Sequence, residues 1–230
     1  MDIGGTGLKM IVLDGSGQPV NERARELTPK PATPDAVLEV LGGMVGTQPS
    51  HARVSVGFPG VVRRGVVRTA PNLGTEAWAG FPLAERISAL TRRPTRAVND
   101  ADLQGFGAIS GEGTELVLTL GTGLGSAVFI DGRLVPNLEL AHQAWRKGDT
   151  YEERVSNAAR KRKGNSDWSR RVLQMLEDLE PIWNYDRLYL GGGNVKHLED
   201  PLPDNVRAFS NVEGMTGGAR LWSDELELRQ

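Results

Sequence analysis

The chain has 230 residues, 24% charged and 39% hydrophobic, with 27 Lys and Arg against 29 Asp and Glu for a net charge of -2. That balance argues against generic nucleic-acid binding, and no apolar run is long enough to predict a membrane span or a secretory leader. Zero cysteines exclude disulfides and cysteine-based zinc sites, which fits a cytoplasmic protein, and the length suffices for one large domain or two lobes.

In chain order, Leu8 to Leu13 and Pro19 to Leu27 read as a strand hairpin turning at Asp14-Gly15-Ser16-Gly17. Thr33 caps and Pro34 starts a helix whose apolar face is Val37, Val40, Leu41 and Met44. Arg53 to Gly57 alternates like a strand, Phe58-Pro59-Gly60 breaks it, and Val61 to Val67 forms a tight hairpin. Phe81 to Leu90 is an amphipathic helix through Leu83, Ile87 and Leu90. Thr95 to Val98 is a strand, and Asn99 or Asp100 caps a helix through Leu103, Phe106 and Ile109. Leu116 to Ile130 reads as strand, glycine loop and strand, turning at Asp131-Gly132-Arg133. Tyr151 to Lys163 is a polar helix, and Ser166-Asp167 starts a stronger one with Trp168, Val172, Met175, Leu176 and Leu179 on one face, ending near Pro181. Strand Arg187 to Leu190 follows, and Gly217 to Trp222 begins or sits in a last helix. Strands followed by helices occur once before about Ile109 and again after it, which predicts two α/β lobes, 1–109 and 110–230, with a cleft between them.

Three glycine loops punctuate this pattern: Asp2-Ile3-Gly4-Gly5-Thr6-Gly7, Gly121-Thr122-Gly123-Leu124-Gly125, and Gly191-Gly192-Gly193-Asn194. Glycine lets backbone N–H groups converge on an anion with no Cβ in the way, so a strand feeding a glycine loop suits phosphate. Asp100, between a strand end and a helix start, is the candidate base for a hydroxyl that attacks a phosphoryl group; its other reading is a helix N-cap. Asp2 facing phosphates implies an intervening cation, Mg²⁺ held partly through water. Gly4, Gly5 and Thr6 offer donors to a terminal phosphoryl, Lys9 adds charge or is a solvated strand residue, and Gly121, Thr122, Gly123 and Gly125 form a second cradle. Asn72, Asn99, Glu139 and His142 are polar side chains able to pair with a ligand's hydroxyls, with Asn72 equally a turn former after Pro71.

Asp2-Ile3-Gly4-Gly5-Thr6, Asn99-Asp100-Ala101, Leu118 to Gly125 and Glu139-Leu140-Ala141-His142 resemble, in order, the signatures of the ROK sugar kinases. Phe58 to Val62, Val66 to Asn72 and Leu134-Val135-Pro136-Asn137-Leu138-Glu139-Leu140 are similar to the polyphosphate glucokinase branch of that family. The resemblance implies an actin-like ATPase (ribonuclease H-like) α/β fold, two lobes with a central cleft, and phosphoryl transfer from polyphosphate, with ATP as a further donor, to the 6-hydroxyl of glucose. It implies that Glu139 and His142 contact the sugar, that Gly191, Gly192 and Gly193 are the donor-side loop, and that the protein forms a homodimer. An ATP-dependent kinase of another hexose or an acylamino sugar, and a sugar-binding homologue without catalysis, are the alternatives.

Three departures from the family pattern stand out. Ala141 replaces the usual Gly, which would be strained if that position needed positive φ. Gln143 to Gly148 carries no cysteine where many ROK kinases bind zinc. Only Met1 precedes the first loop, so the first strand either begins inside the loop motif or starts upstream of residue 1. The basic run Arg160-Lys161-Arg162-Lys163, with Arg146-Lys147 upstream, is either a solvated helix face or an attractor for a long polyanion.

Overall fold

The computed structural model describes residues 1–135 and 138–223; Pro136 and Asn137 of the branch motif lie outside the described residues. The chain divides into two compact units, residues 1–107 with the segment from Met215, and residues 108–214.

The first unit is built on a five-stranded sheet, β1 (Asp2–Ile3), β2 (Gly7–Met10), β3 (Ala24–Leu27), β4 (Val54–Phe58) and β7 (Thr95–Asn99), ordered β3-β2-β1-β4-β7. A separate hairpin, β5 (Val62–Arg63) and β6 (Val66–Val67), turns through Arg64 and Gly65, both at positive φ as a two-residue hairpin requires. β1, β2 and β3 are antiparallel, whereas β1, β4 and β7 are parallel. β3 is shorter than the Pro19 to Leu27 strand the sequence predicts. The Asp14 carboxylate accepts from the N–H groups of Ser16 and Gln18, which keeps the preceding segment in a turn, and only an isolated Leu13–Pro19 bridge extends the pairing.

Helix α1 (Pro34–Gly46) starts as expected, with the Thr33 hydroxyl accepting from the N–H of Ala36, and buries Val37, Leu38, Leu41 and Met44. A short helix, α2 (Thr75–Trp78), brings in Trp78, whose fully buried ring contacts Phe58 and whose indole N–H donates to the carbonyl of Ala32 at 2.8 Å. Helix α3 (Leu83–Thr91) buries Leu83 and Ile87, while Leu90, expected on the same face, is 36% exposed. Leu90 still touches α1, one methyl lying where a Cβ on Gly42 would come within 3.3 Å of it, while part of its side chain faces solvent. Helix α4 (Asp100–Ala108) follows β7 directly.

The second unit repeats the sheet plan. Its strands β8 (Thr114–Leu120), β9 (Leu124–Ile130), β10 (Arg133–Val135), β11 (Arg187–Gly191) and β12 (Val206–Ala208) are ordered β10-β9-β8-β11-β12, again three antiparallel strands joined to two parallel ones. Sequence patterning missed β12, a three-residue edge strand with one buried side chain. The polar helix expected over Tyr151 to Lys163 is two helices, α5 (Tyr151–Val155) and α6 (Asn157–Lys163). Ser156 breaks it with an extended backbone, and its side chain accepts from the N–H of Ala159 to cap α6. Helix α7 (Asn165–Trp183) runs past Pro181 to Asn184 in the left-handed region, and its buried stripe is the predicted one from Trp168 to Leu179.

Helix α8 (Asn211–Arg220) contains Gly217 and Gly218 in its last turns. A Cβ on Gly217 would strike the Leu103 carbonyl, so glycine is what lets α8 lie against α4. Among the described residues no helix is long and apolar enough to cross a membrane.

Candidate active site

Parallel strands present their carboxyl ends on one edge of a sheet, and ligands commonly bind there. In the first unit that edge collects the turn after β1, the Phe58–Pro59–Gly60 turn after β4 and the Asn99–Asp100 junction after β7, with Asp2 level with Gly57 and Phe58 level with Asn99. In the second unit it collects the turns after β8 and β11. The first two glycine loops are therefore the same structural element twice, the hairpin turn between the first and second strands of each sheet.

Asp2 and Lys9 are register partners across β1 and β2, and Lys9 Nζ donates to Asp2 Oδ2 at 2.8 Å. Both side chains are 37% exposed, so the pair orients Asp2 more than it stabilises the fold. The turn between them is narrow: Gly4 N–H donates to the Gly7 carbonyl at 3.1 Å, and the buried Thr28 hydroxyl donates to the Gly4 carbonyl. A Cβ on Gly5 would lie 3.2 Å from Asn72, so the structure brings Asn72 against the first glycine loop. Thr6 and Asn72 are both exposed at this edge.

Asn99 closes β7 and commits both ends of its amide: Oδ1 accepts from the N–H of Ala101 at 2.8 Å, and Nδ2 donates to the Gly60 carbonyl at 3.2 Å. Gly60 is obligatory, since a Cβ would sit 2.1 Å from the Thr69 carbonyl. Asp100 is the first helical residue of α4, half-buried, and its Oδ1 accepts from the same Ala101 N–H at 2.9 Å. Strand and helix thus fix the Asp100 backbone from both sides.

In the second unit Gly121, Thr122 and Gly123 join β8 to β9, with Gly121 N–H donating to the Gly123 carbonyl at 3.0 Å, and Gly125 lies within β9 opposite Thr119. The surroundings hold this loop from three directions. Asn194 Nδ2 donates to the Gly121 carbonyl at 2.7 Å, Asn157 N–H donates to the Thr122 carbonyl at 3.3 Å, and Leu124 N–H donates to Glu152 Oε2 at 3.2 Å. A Cβ on Gly123 would strike Glu152. Of the third loop, Gly191 would strike the Phe209 ring and Gly192, at φ +92, would strike the Leu120 backbone, whereas Gly193 faces open space.

Glu139 and His142 are brought together on one short segment. The Ser126 hydroxyl fixes it by donating to the Leu138 carbonyl at 3.0 Å and accepting from Leu140 N–H at 3.1 Å. His142 Nε2 stands 4.0 Å from Glu139 Oε2. Burial chiefly raises the Glu139 carboxyl above its ordinary range; His142 opposes this and the nearby Glu152 carboxylate adds to it. Ala141 lies in a 3-10 turn, Leu140–His142, and is not among the positive-φ residues, so the conditional strain does not arise. The cysteine-free stretch after His142 is pinned by Asp178, which accepts from Trp145 Nε1 at 2.8 Å and from both forks of Arg146, while Trp145 stacks on Tyr151.

The contacts of Glu152 and Asn194 with the second loop escaped the sequence reading, which named Asn194 only as the end of the third loop. Glu152 lies inside what reads as a polar helix with nothing to mark it, but Asn194 ends a glycine run, and a polar residue in that place is a readable clamp signal.

Residues 1–137 match the ROK family. The polyphosphate glucokinase of Mycobacterium tuberculosis (strain ATCC 25618 / H37Rv) is 34% identical over 238 residues, covering 95% of this chain and 88% of that protein. The polyphosphate glucokinase of Mycobacterium leprae (strain TN) is 35% identical over 237 residues, covering 95% and 72%. The crystal structure of the inorganic polyphosphate/ATP-glucomannokinase from Arthrobacter sp. strain KM superposes with a TM-score of 0.84 at 33% identity, covering 95% of each chain. The chain belongs to the ROK family, and its paired sheets are those of the actin-like ATPase fold.

Proposed function

We propose that the protein is a glucokinase that transfers the terminal phosphoryl of polyphosphate, and also of ATP, to the 6-hydroxyl of glucose. The observation that carries this reading is the similarity to polyphosphate glucokinases over 95% of the chain, at 34–35% identity. The placement of Asp100 at the β7–α4 junction suits the chemistry. A sugar hydroxyl is a weak nucleophile at neutral pH, and a rigidly held carboxylate takes its proton as the oxygen–phosphorus bond forms. Asp100 is that base: as the sugar oxygen bonds to phosphorus its proton passes to the Asp100 carboxylate, and the electron pair of the broken bridging bond leaves with the oxygen of the shortened donor, which takes up the negative charge. Asn72, Asn99, Glu139 and His142 orient the sugar through its other hydroxyls.

Gly4, Gly5, Thr6 and Lys9 of the first loop and Gly121, Thr122, Gly123 and Gly125 of the second contact the donor's phosphates, with Gly191, Gly192 and Gly193 as the donor-side loop. Backbone N–H groups suit this work because they carry fixed partial charge and need no reorganisation, those of Gly4 and Gly121 serving instead to close their own turns. Mg²⁺ fits Asp2: such an ion takes one or two carboxylates and completes its shell with phosphate oxygens and water, and Lys9 holds Asp2 through one oxygen. When bound, the metal supplies charge neutralisation at the donor phosphates. We also place the protein in the cytoplasm as a homodimer, acting on small molecules and polyphosphate rather than on nucleic acid or membrane.

Glucose phosphorylation measured with polyphosphate and ATP side by side tests the reading. Turnover with both is expected. Turnover with ATP alone overturns the polyphosphate assignment, and glucose binding without turnover from either donor makes the protein a sugar binder.

A further inference from the structure

Helix α6 carries Arg160, Lys161, Arg162 and Lys163 and no acid in seven residues, in a chain whose net charge is -2. Elsewhere the described ion pairs join Lys9, Arg86, Arg146, Arg154 and Arg170 each to an aspartate. None of the four basic residues of α6 takes part in an ion pair among the described residues, nor does Lys196. Arg160 is held instead by neutral partners, donating to Asn157 Oδ1 at 3.0 Å and to Asn165 Oδ1 at 2.9 Å. Its charge is positioned but not cancelled.

The position connects to the donor loops. Asn157, which holds Arg160, also donates its N–H to the Thr122 carbonyl of the second loop. Asn194, which clamps that loop, leads directly into the 3-10 turn Val195–His197 with its exposed Lys196. Partial burial lowers the His197 pKa, and the Arg160 and Lys196 cations lower it further, which places all three groups in one electropositive neighbourhood. The acids nearest in sequence are Glu153 before α6, Asp167 after it, and Glu199 and Asp200 after the turn. Asp167 is paired with Arg170, and Asp200 accepts from Ser169.

From this arrangement we infer that α6 and the Val195–His197 turn form a track for the distal part of a long inorganic polyphosphate chain, beyond the phosphoryl being transferred. A row of cations attracts a polyanion by releasing its counterions, and gains with each phosphate it spans. ATP and tripolyphosphate have few phosphates beyond the one transferred, and so little charge to lay along it. The track rests on the donor reading above and extends it: chain length becomes a determinant of affinity, while the chemical step is untouched.

The test compares the wild type with the triple variant Lys161→Gln, Lys163→Gln, Lys196→Gln, three exposed residues whose replacement leaves the core intact. Direct binding of long-chain polyphosphate is measured beside turnover with long-chain polyphosphate, tripolyphosphate and ATP. Expected are a roughly tenfold weaker binding and higher KM for the long chain, a shallower salt dependence, and less than about twofold change for the two short donors, with kcat preserved. Equal binding by wild type and variant, no binding by wild type, or equal KM shifts for all donors overturns the track. A single-stranded oligonucleotide of matched charge that binds more tightly than polyphosphate reassigns the surface. If wild type binds the long chain and the variant does not, yet no phosphoryl transfer from polyphosphate occurs, the track stands and the donor reading falls.

Discussion

The side-chain amide of Asn194 donates to the Gly121 carbonyl at 2.7 Å, while its backbone N–H donates to the Leu120 carbonyl at 2.9 Å. One buried residue at the end of the third loop thus fixes the geometry of the second. Asn194→Ala removes the donor and leaves a half-buried carbonyl unpaired, a loss of about 1–2 kcal/mol. Because the loops are read as donor contacts, KM for the donor rises more than KM for glucose. Chemical denaturation gives the first quantity and steady-state kinetics the second; equal rises in both KM values would mean that the clamp serves the whole unit and not the loop.

Asp100 is the first residue of α4, and its carboxylate also serves the helix start by accepting from the Ala101 N–H. Asp100→Asn separates the two roles, because the amide oxygen can keep the bond from the Ala101 N–H but cannot accept a proton from a hydroxyl. Thermal stability should stay near that of the wild type while kcat falls by roughly 10²–10⁴. A variant that keeps its turnover makes Asp100 a cap, and the base must then be sought elsewhere.

The glycine loops were legible because a strand running into glycine is a local signal, and so was the repeat of strands followed by helices. What periodicity does not carry is the tertiary partner. Nothing near Glu152 in sequence announces that its carboxylate meets Leu124 N–H, 28 positions away. Ser156 looked like a helix interior because it lies within a polar run without Gly or Pro, yet its hydroxyl does more as a cap for α6. Asn99 was legible as a polar group beside Asp100, but its clamp on Gly60 belongs to strand packing. Leu90 was placed on the buried face by its spacing, and it does meet Gly42 of α1, but it lies at the edge of that contact and stays 36% exposed.

Gly192 and Gly193 are neighbours with opposite requirements. Gly192 has φ +92 and would put a Cβ 2.5 Å from the Leu120 carbonyl oxygen, whereas Gly193 has nothing within 4 Å. Gly192→Ala should therefore lose roughly 3 kcal/mol of stability through backbone strain and a clash with β8, while Gly193→Ala should lose less than about 1 kcal/mol. Urea denaturation ranks the two. If Gly193→Ala is stable but weakens donor binding, the open space it faces is occupied by the donor; unchanged affinity removes Gly193 from the donor contacts.

Glu139 holds its proton more tightly in the folded protein than in the unfolded chain, mainly because burial disfavours the carboxylate, with Glu152 adding to the effect and His142 opposing it. The sign follows from linkage: the folded state binds more protons, so this group's contribution to stability is complete below its ordinary value of 4.5 and declines as pH rises through the raised value. At neutral pH the charged carboxylate opposes folding. Glu139→Gln removes that charge and keeps the shape, and the exposed His142 it leaves behind returns to water at little cost. The variant should melt above the wild type at neutral pH, with the gap closing as pH falls below 4.5. The same variant should bind glucose more weakly, since an amide replaces a carboxylate at a sugar hydroxyl. A melting difference that is constant across pH, or that widens in acid, would show that Glu139 is held by its contacts as a carboxylate and not strained by burial.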